Sequence, residues 1–149
     1  MKEEKVEIKI KVIRYNSEEY SQELQLRDEV LRKPLGMSLY DENLDAEMDD
    51  FHVGAFVNNQ LVGVLILTKL NAGDVKMRQF AVAEKWQGKK IGTEMVVFAE
   101  EYSRHKGYST IVLNARKSAA GFYEKLGYEK ISEEFLEINI PHYKMRKKL

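Results

Sequence analysis

Three strand patterns follow one another between residues 51 and 82 with no helix between them, and this run constrains the architecture most. Phe51, Val53, Ala55 and Val57 alternate with the residues between them, the signature of a strand. Asn58-Asn59-Gln60 supplies a turn, and Leu61–Leu67 is an almost unbroken apolar run. Asn71-Ala72-Gly73-Asp74 makes a second turn before a strand over 75–82. Successive hairpin strands exclude a purely parallel, doubly wound sheet, because parallel neighbours need a crossover between them. The apolar run 61–67 also predicts a strand covered on both faces, and so layers on both sides of the sheet.

The flanking segments supply those layers. From Glu4 to Arg14, Val6, Ile8, Ile10 and Val12 fall on one face of a half-buried strand. Asn16-Ser17 followed by Glu18 and Glu19 reads as a helix start, with acids placed where the helix dipole favours them. Tyr20, Leu24 and Leu31 share a face of that helix, and Pro34 and Gly36 stop it. The acidic stretch 38–50 reads as an exposed, charged connector. A long helix follows residue 90, with Ile91, Met95, Ala99 and Tyr102 on one face and His105-Lys106-Gly107 at its end. Thr110–Leu113 is a short strand, Ser118 caps a helix through Leu126, and 128–131 and 138–145 close the chain as strands. Pro141 confines the last of these to an edge, a bulge or a later start. The fold class expected is α/β: one domain over 1–149, a mixed central sheet flanked by helices.

Charge and composition narrow the function. Lys+Arg and Asp+Glu are both 24, so the formal net charge is zero and a surface built wholly to grip nucleic acid is not expected. The absence of Cys removes disulfides, thiolate zinc sites and a cysteine nucleophile together. The three histidines show no H-x-x-x-H spacing, so no catalytic metal is expected. Apolar runs are too short for a membrane span, and Met1-Lys2-Glu3-Glu4-Lys5 does not open a signal peptide. The expectation is a cytoplasmic protein that binds neither membrane nor nucleic acid.

Chemistry concentrates at residues 78–93, where a strand runs through a glycine-containing loop into the long helix. Unpaired amides at a helix start, with Gly88 and Gly92 beside them and Lys85, Lys89 and Lys90 nearby, suit an anion. The bland alternative is a plain turn with solvated lysines. The loop fails the Walker A pattern G-x-x-x-x-G-K-S/T, since only three residues separate Gly88 from Gly92, and it fails G-x-G-x-x-G as well. ATP and NAD are therefore not the expected ligands.

Phe80-Ala81-Val82 followed by Gln87-Gly88-Lys89-Lys90-Ile91-Gly92 resembles the acyl-CoA loop of the GNAT superfamily of N-acetyltransferases, Q/R-x-x-G-x-G/A after an A-V strand. Ala119-x-x-Phe122-Tyr123-Glu124-Lys125-Leu126-Gly127-Tyr128 resembles that family's A-x-x-F-Y-x-K-x-G-F/Y helix and strand. The element order matches the family fold, so the resemblance covers essentially the whole chain. Two positions depart from it. Lys90 stands at the first pattern glycine, so the backbone there avoids a positive φ or bears its cost. Arg116 stands seven residues before Tyr123, where many members have Asn, which leaves Asn114 or Arg116 as the substitute contact.

The resemblance implies acetyl-CoA as cosubstrate and a set of roles. Backbone groups of Phe80, Ala81 and Val82 would pair with the pantetheine arm, and Gln87, Gly88, Lys89, Lys90, Ile91, Gly92 and Thr93 would hold the pyrophosphate. A deprotonated amine would attack the thioester directly. Tyr123 would protonate the leaving thiolate, a reasonable task for a phenol with an ordinary pKa near 10. Without the family pattern, Tyr123 beside Phe122 reads as a core aromatic. Glu137 and His142, on or near the closing strands, are the candidate substrate-side residues. For His142 a structural role beside Pro141 is the alternative, and His52 and His105 read as packing and helix-end residues. The function expected is N-acetylation of a small-molecule or peptide amine, with a second copy of the chain as an open question. The alternative is a catalytically silent CoA-binding or interaction module on the same fold.

Overall fold

The computed structural model describes residues 7–149, so the part of the first strand pattern before Glu7 lies outside the described residues. One mixed sheet organises the chain. Its strands are β1 (Ile8–Ile13), β2 (Phe51–Val57), β3 (Gln60–Lys69), β4 (Asp74–Val82), β5 (Thr110–Arg116), β6 (Glu129–Lys130), β7 (Phe135–Glu137) and β8 (Ile140–Lys148). They run in the order β1-β2-β3-β4-β5-β8-β6, with β7 also on β8. Among the described residues every pairing is antiparallel except β4–β5. That one parallel pair is joined by α2 (Ile91–His105), the crossover it requires.

Helices cover both faces. On one side, α2 and α3 (Ala120–Lys125) pack with Val53, Ala55, Leu65, Leu67, Met77 and Leu113. On the other, α1 (Glu18–Arg27) packs Tyr20 and Leu26 against Phe56, Val64 and Ala81. All of Leu61–Leu67 is buried, as a strand enclosed on both sides requires. Ser17 caps α1, its hydroxyl accepting from the Tyr20 amide at 3.1 Å.

Several local readings differ. In β1, Val12 is exposed and Ile13 is buried among the α1-side residues, because this edge strand is covered over only part of its length. The first helix continues through a π-helical turn (Asp28–Arg32) and a 3-10 turn (Lys33–Leu35) before Gly36 ends it at φ +71°. Ser118 lies within a 3-10 turn rather than capping α3, and α3 ends at Lys125. The short strand β7, turned onto β8 through Ile138 and Asn139 at φ 51° and 58°, had no alternation long enough to signal it. The segment 38–50 forms two 3-10 turns and is not simply exposed: Glu47 is buried.

Candidate functional site

The site begins where β4 and β5 part. Their ladder spans only Asp74–Lys76 opposite Thr110–Val112. Beyond it β5 stays on β8 and β4 stays on β3, so among the described residues the β5-facing edge of β4 from Met77 to Val82 has no strand partner. A bulge sharpens the split: Val64 faces Ala81 and Ile66 faces Arg78, so Leu65 opposes both Gln79 and Phe80. Gln79 sits at φ +53°, a conformation that a non-glycine residue holds only when its surroundings enforce it.

The enforcing surroundings are polar and buried. The Gln79 carbonyl oxygen, Oε1, accepts from Arg32 Nη2 at 3.2 Å and Arg27 Nη2 at 3.4 Å. Arg27 in turn donates to both Glu47 oxygens at 2.7 Å and to Glu23 at 3.0 Å. Tyr20 donates to Glu47 at 2.9 Å. His52 Nε2 donates to the Glu47 carbonyl and Nδ1 faces Glu23 Oε2, each at 2.8 Å. Burial alone would push His52 down, but the hydrogen bond and charge of Glu23, with the Glu47 carbonyl and charge, hold its pKa above the ordinary value. Burial would likewise raise Glu47, but Arg27 and Tyr20 outweigh it and lower its pKa. Glu23, Glu47 and His52 present metal-ligating atoms within 4.8 Å of one another. The Arg27 cation already bonds both carboxylates, which makes this an ion-pair network rather than a metal centre.

Beyond β4 the chain reaches the glycine loop. Gln87 Nε2 donates to the Val82 carbonyl at 2.9 Å and ties the loop to the strand end. Gly88 lies at φ +76° with open space where a Cβ would stand. Lys90 adopts φ +64°, so the pattern's glycine conformation is kept by a lysine that bears its cost. Among the described residues no side chain caps α2, whose first turn therefore presents amides without a side-chain partner. Ile91 is buried in the core, whereas Gly92 lets Phe80 and Phe122 approach: a Cβ there would meet their ring carbons at 3.4 and 3.6 Å. Thr93 is half-buried in the same turn.

A cavity of about 440 Å³ fills the split between β4 and β5 and collects Phe80, Asn114, Tyr123, Glu137 and His142. Ala81, Val82 and the loop 87–93 lie outside its wall, along the free edge of β4 and the start of α2. Tyr123 is buried, with edge-on contacts to Phe122 and Tyr128 at ring separations of 5.1 and 5.8 Å. Burial pushes its phenol up to about 12, so it stays protonated at neutral pH. Asn114 Nδ2 donates to Glu137 Oε1 at 3.1 Å. His142 Nδ1 donates to the Ile140 carbonyl at 2.7 Å, and its Nε2 lies 3.3 Å from Glu137 Oε2. Glu137 is thereby held between an amide and an imidazole.

Sequence reasoning missed part of this wall. Lys76 and Arg78 lie on it, and the alternation of Val75 and Met77 with them was a usable signal. Leu31 and Arg32, brought over the cavity by the π-helical turn, and Gln79 at the bulge carried none. Among the described residues no helix is long and apolar enough to cross a membrane.

Comparison with known proteins agrees with this geometry. A family model described as an acetyltransferase (GNAT) domain matches residues 15–149. The Bacillus subtilis protein YyaT is 32% identical over 98 residues, 66% of this chain and 66% of its own. The uncharacterised Bacillus subtilis N-acetyltransferase YjcF is 28% identical over 91% of this chain and 97% of its own. An aminoglycoside 6'-N-acetyltransferase solved in complex with coenzyme A superposes with a TM-score of 0.79 at 19% identity, over 93% of this chain and 96% of that one. With a split sheet, a glycine loop leading into an uncapped helix and a family match over 15–149, this chain belongs to the GNAT acetyltransferase family.

Proposed function

We propose that the chain transfers an acetyl group from acetyl-CoA to a primary amine, which attacks the thioester directly. The observation that carries this reading is the free edge of β4, which leads at one end to the uncapped start of α2 and borders the cavity holding Tyr123 and Glu137. Acetyl-CoA supplies an acyl group activated as a thioester. The unpaired backbone groups of Phe80, Ala81 and Val82 bind the pantetheine arm as a strand would. The amides of Gly88 to Thr93 hold the pyrophosphate, aided by the charges of Lys89 and Lys90 and by the α2 dipole. Gln87 positions the loop through Val82.

On the amine side, Glu137, oriented by Asn114 and His142, takes the ammonium proton so that the nitrogen lone pair is free. The new C–N bond forms as the C–S bond breaks, and the sulfur keeps the electron pair. Burial holds Tyr123 protonated but, at about 12 rather than the ordinary 10, makes it the weaker acid, so it gives its proton to that sulfur only as it takes another. It recovers one from the nitrogen, which sheds its second proton on becoming an amide.

Two measurements test the proposal. Acetyl-CoA stabilises the native state by about 2.7 kcal/mol at 100 times its dissociation constant, so thermal unfolding shifts clearly upward, and ATP and NAD leave it unchanged. A panel of amines with acetyl-CoA, read by thiol release, then finds an acceptor. Cofactor binding with no release for any amine would show the silent module instead.

A further inference from the structure

The cavity wall is unevenly charged. Among the described residues four cations line it, Arg32, Lys76, Arg78 and Arg116, against one carboxylate, Glu137. Arg32 is spent on Glu42, with bonds of 2.6 and 3.3 Å. Arg78 reaches Asp50 only at 3.6 Å. Among the described residues, neither Lys76 nor Arg116 forms an ion pair. The three cations not spent on Glu42 share one face. Lys76 stands opposite Val112 in the β4–β5 ladder, and Asn114 and Arg116 follow Val112 at two-residue steps. Arg78 follows Lys76 in the same way. That is the α1 side of the sheet, whereas the start of α2 lies on the other. The phosphates of a donor seated at α2 are therefore not what these cations face.

We infer that the acceptor is a zwitterion: a small amino acid-like molecule whose amine meets Glu137 and whose carboxylate meets Arg116, Lys76 and Arg78. This rests on the acyl-transfer reading and names the acceptor class of the same site. The dimensions fit. Arg116 lies two residues, about 7 Å of strand, beyond the Asn114 that holds Glu137, within reach of one arginine side chain. Guanidinium groups bind carboxylates in paired, charge-assisted bonds. A cavity of about 440 Å³, roofed by Leu31 and Leu35 and walled by the β7–β8 turn at Ile138, has small-molecule dimensions. Polyamines and aminoglycosides meet like charge there and are excluded.

Binding is measured by calorimetry on the CoA-loaded protein, so that it needs no turnover. Pooled N-acetyl amino acids, the products, are compared with the same compounds as C-terminal amides. The acids bind at least tenfold tighter than the amides, and the preference falls as salt rises. Arg116→Gln and Lys76→Gln each reduce that preference several-fold. Lys106→Gln, which changes an exposed cation at the end of α2 outside the cavity, leaves it unchanged. Acids and amides binding equally, both wall variants behaving as wild type, or spermidine emerging as the best substrate by thiol release would each overturn the inference. Preferred binding of acids with no thiol release for any amine would support the anion site while removing the transfer reading, which separates the two failures.

Discussion

Tyr123 owes its proposed role to where its ring is buried. Phe122 and Tyr128 pack edge-on against it, and the resulting desolvation keeps the phenol protonated. Tyr123→Phe keeps those ring contacts, so acetyl-CoA affinity and stability change little. Removing the hydroxyl lowers kcat by roughly 10²–10⁴-fold where proton donation is fully used, with KM nearly constant. Steady-state kinetics with an acceptor from the amine panel reads this, and an unchanged kcat would return Tyr123 to a packing role. Lys90 is the opposite case, a residue whose backbone works against its side chain. At φ +64° its Cβ crowds the following carbonyl, at a cost of about 1–2 kcal/mol relative to glycine, partly offset by the greater unfolded-state freedom of glycine. Lys90→Gly is expected to stabilise the protein by about 0.5–1 kcal/mol in urea unfolding. Since the same change removes a charge beside the proposed pyrophosphate site, acetyl-CoA affinity falls as stability rises.

At the scale of elements, the start of α2 and the bulge of β4 are built in different ways, and only one was legible. The α2 start is a local device: Gly88, Gly92 and the helix they precede are adjacent in sequence, so residue types and spacing revealed it. Gly92→Glu puts a carboxylate where the proposed pyrophosphate meets the amides. Its Cβ meets ring carbons of Phe80 and Phe122 no closer than 3.4 Å, and Gly92 has no positive φ to lose. The fold therefore persists, with a far-UV spectrum like wild type, while the acetyl-CoA thermal shift is lost. The bulge is non-local. It depends on Arg27 and Arg32 reaching Gln79 across about 50 residues of chain, and on Glu47 closing the network from a segment that reads as a solvated connector. Charged residues at helical spacing, such as Glu23 and Arg27, give a pattern that a solvated face would give equally. The strands of the hairpin run were legible because alternation reports burial directly. Glu137 and His142 could be named as candidates from the closing segment, but their meeting with Asn114 depends on the β5–β8 register, which no local pattern records.

Across the whole molecule, the buried network makes stability depend on pH. His52 is surrounded by Glu23 and Tyr20 from α1, by the Glu47 carbonyl from the connector, and by Tyr15 at a ring separation of 6.5 Å. A carbonyl facing Nε2 and a carboxylate facing Nδ1 both favour the doubly protonated ring, which is the form held below the folded pKa. Its folded pKa lies above the unfolded value of about 6.5, so its stabilising contribution is complete below that pH and is lost as pH rises through the folded value. Glu47 acts in the other direction. Its folded pKa is depressed, so its contribution is present above about 4.5 and is lost as pH falls through the folded value. Stability therefore declines as pH rises from about 6.5 through the folded pKa of His52, at no more than roughly 1.4 kcal/mol per pH unit, the limit for one proton held by the native state. Urea unfolding between pH 5.5 and 8.5 measures this slope. His52→Gln abolishes the alkaline decline, whatever it costs at pH 6, because glutamine has no proton to lose. The same network holds Gln79 in the β4 bulge through Arg27, so loss of the His52 proton is expected to loosen the edge proposed to bind acetyl-CoA as well. Acetyl-CoA affinity should then weaken over the same pH range in the wild type and lose that dependence in His52→Gln. An alkaline decline that survived in His52→Gln would assign the pH dependence to another group.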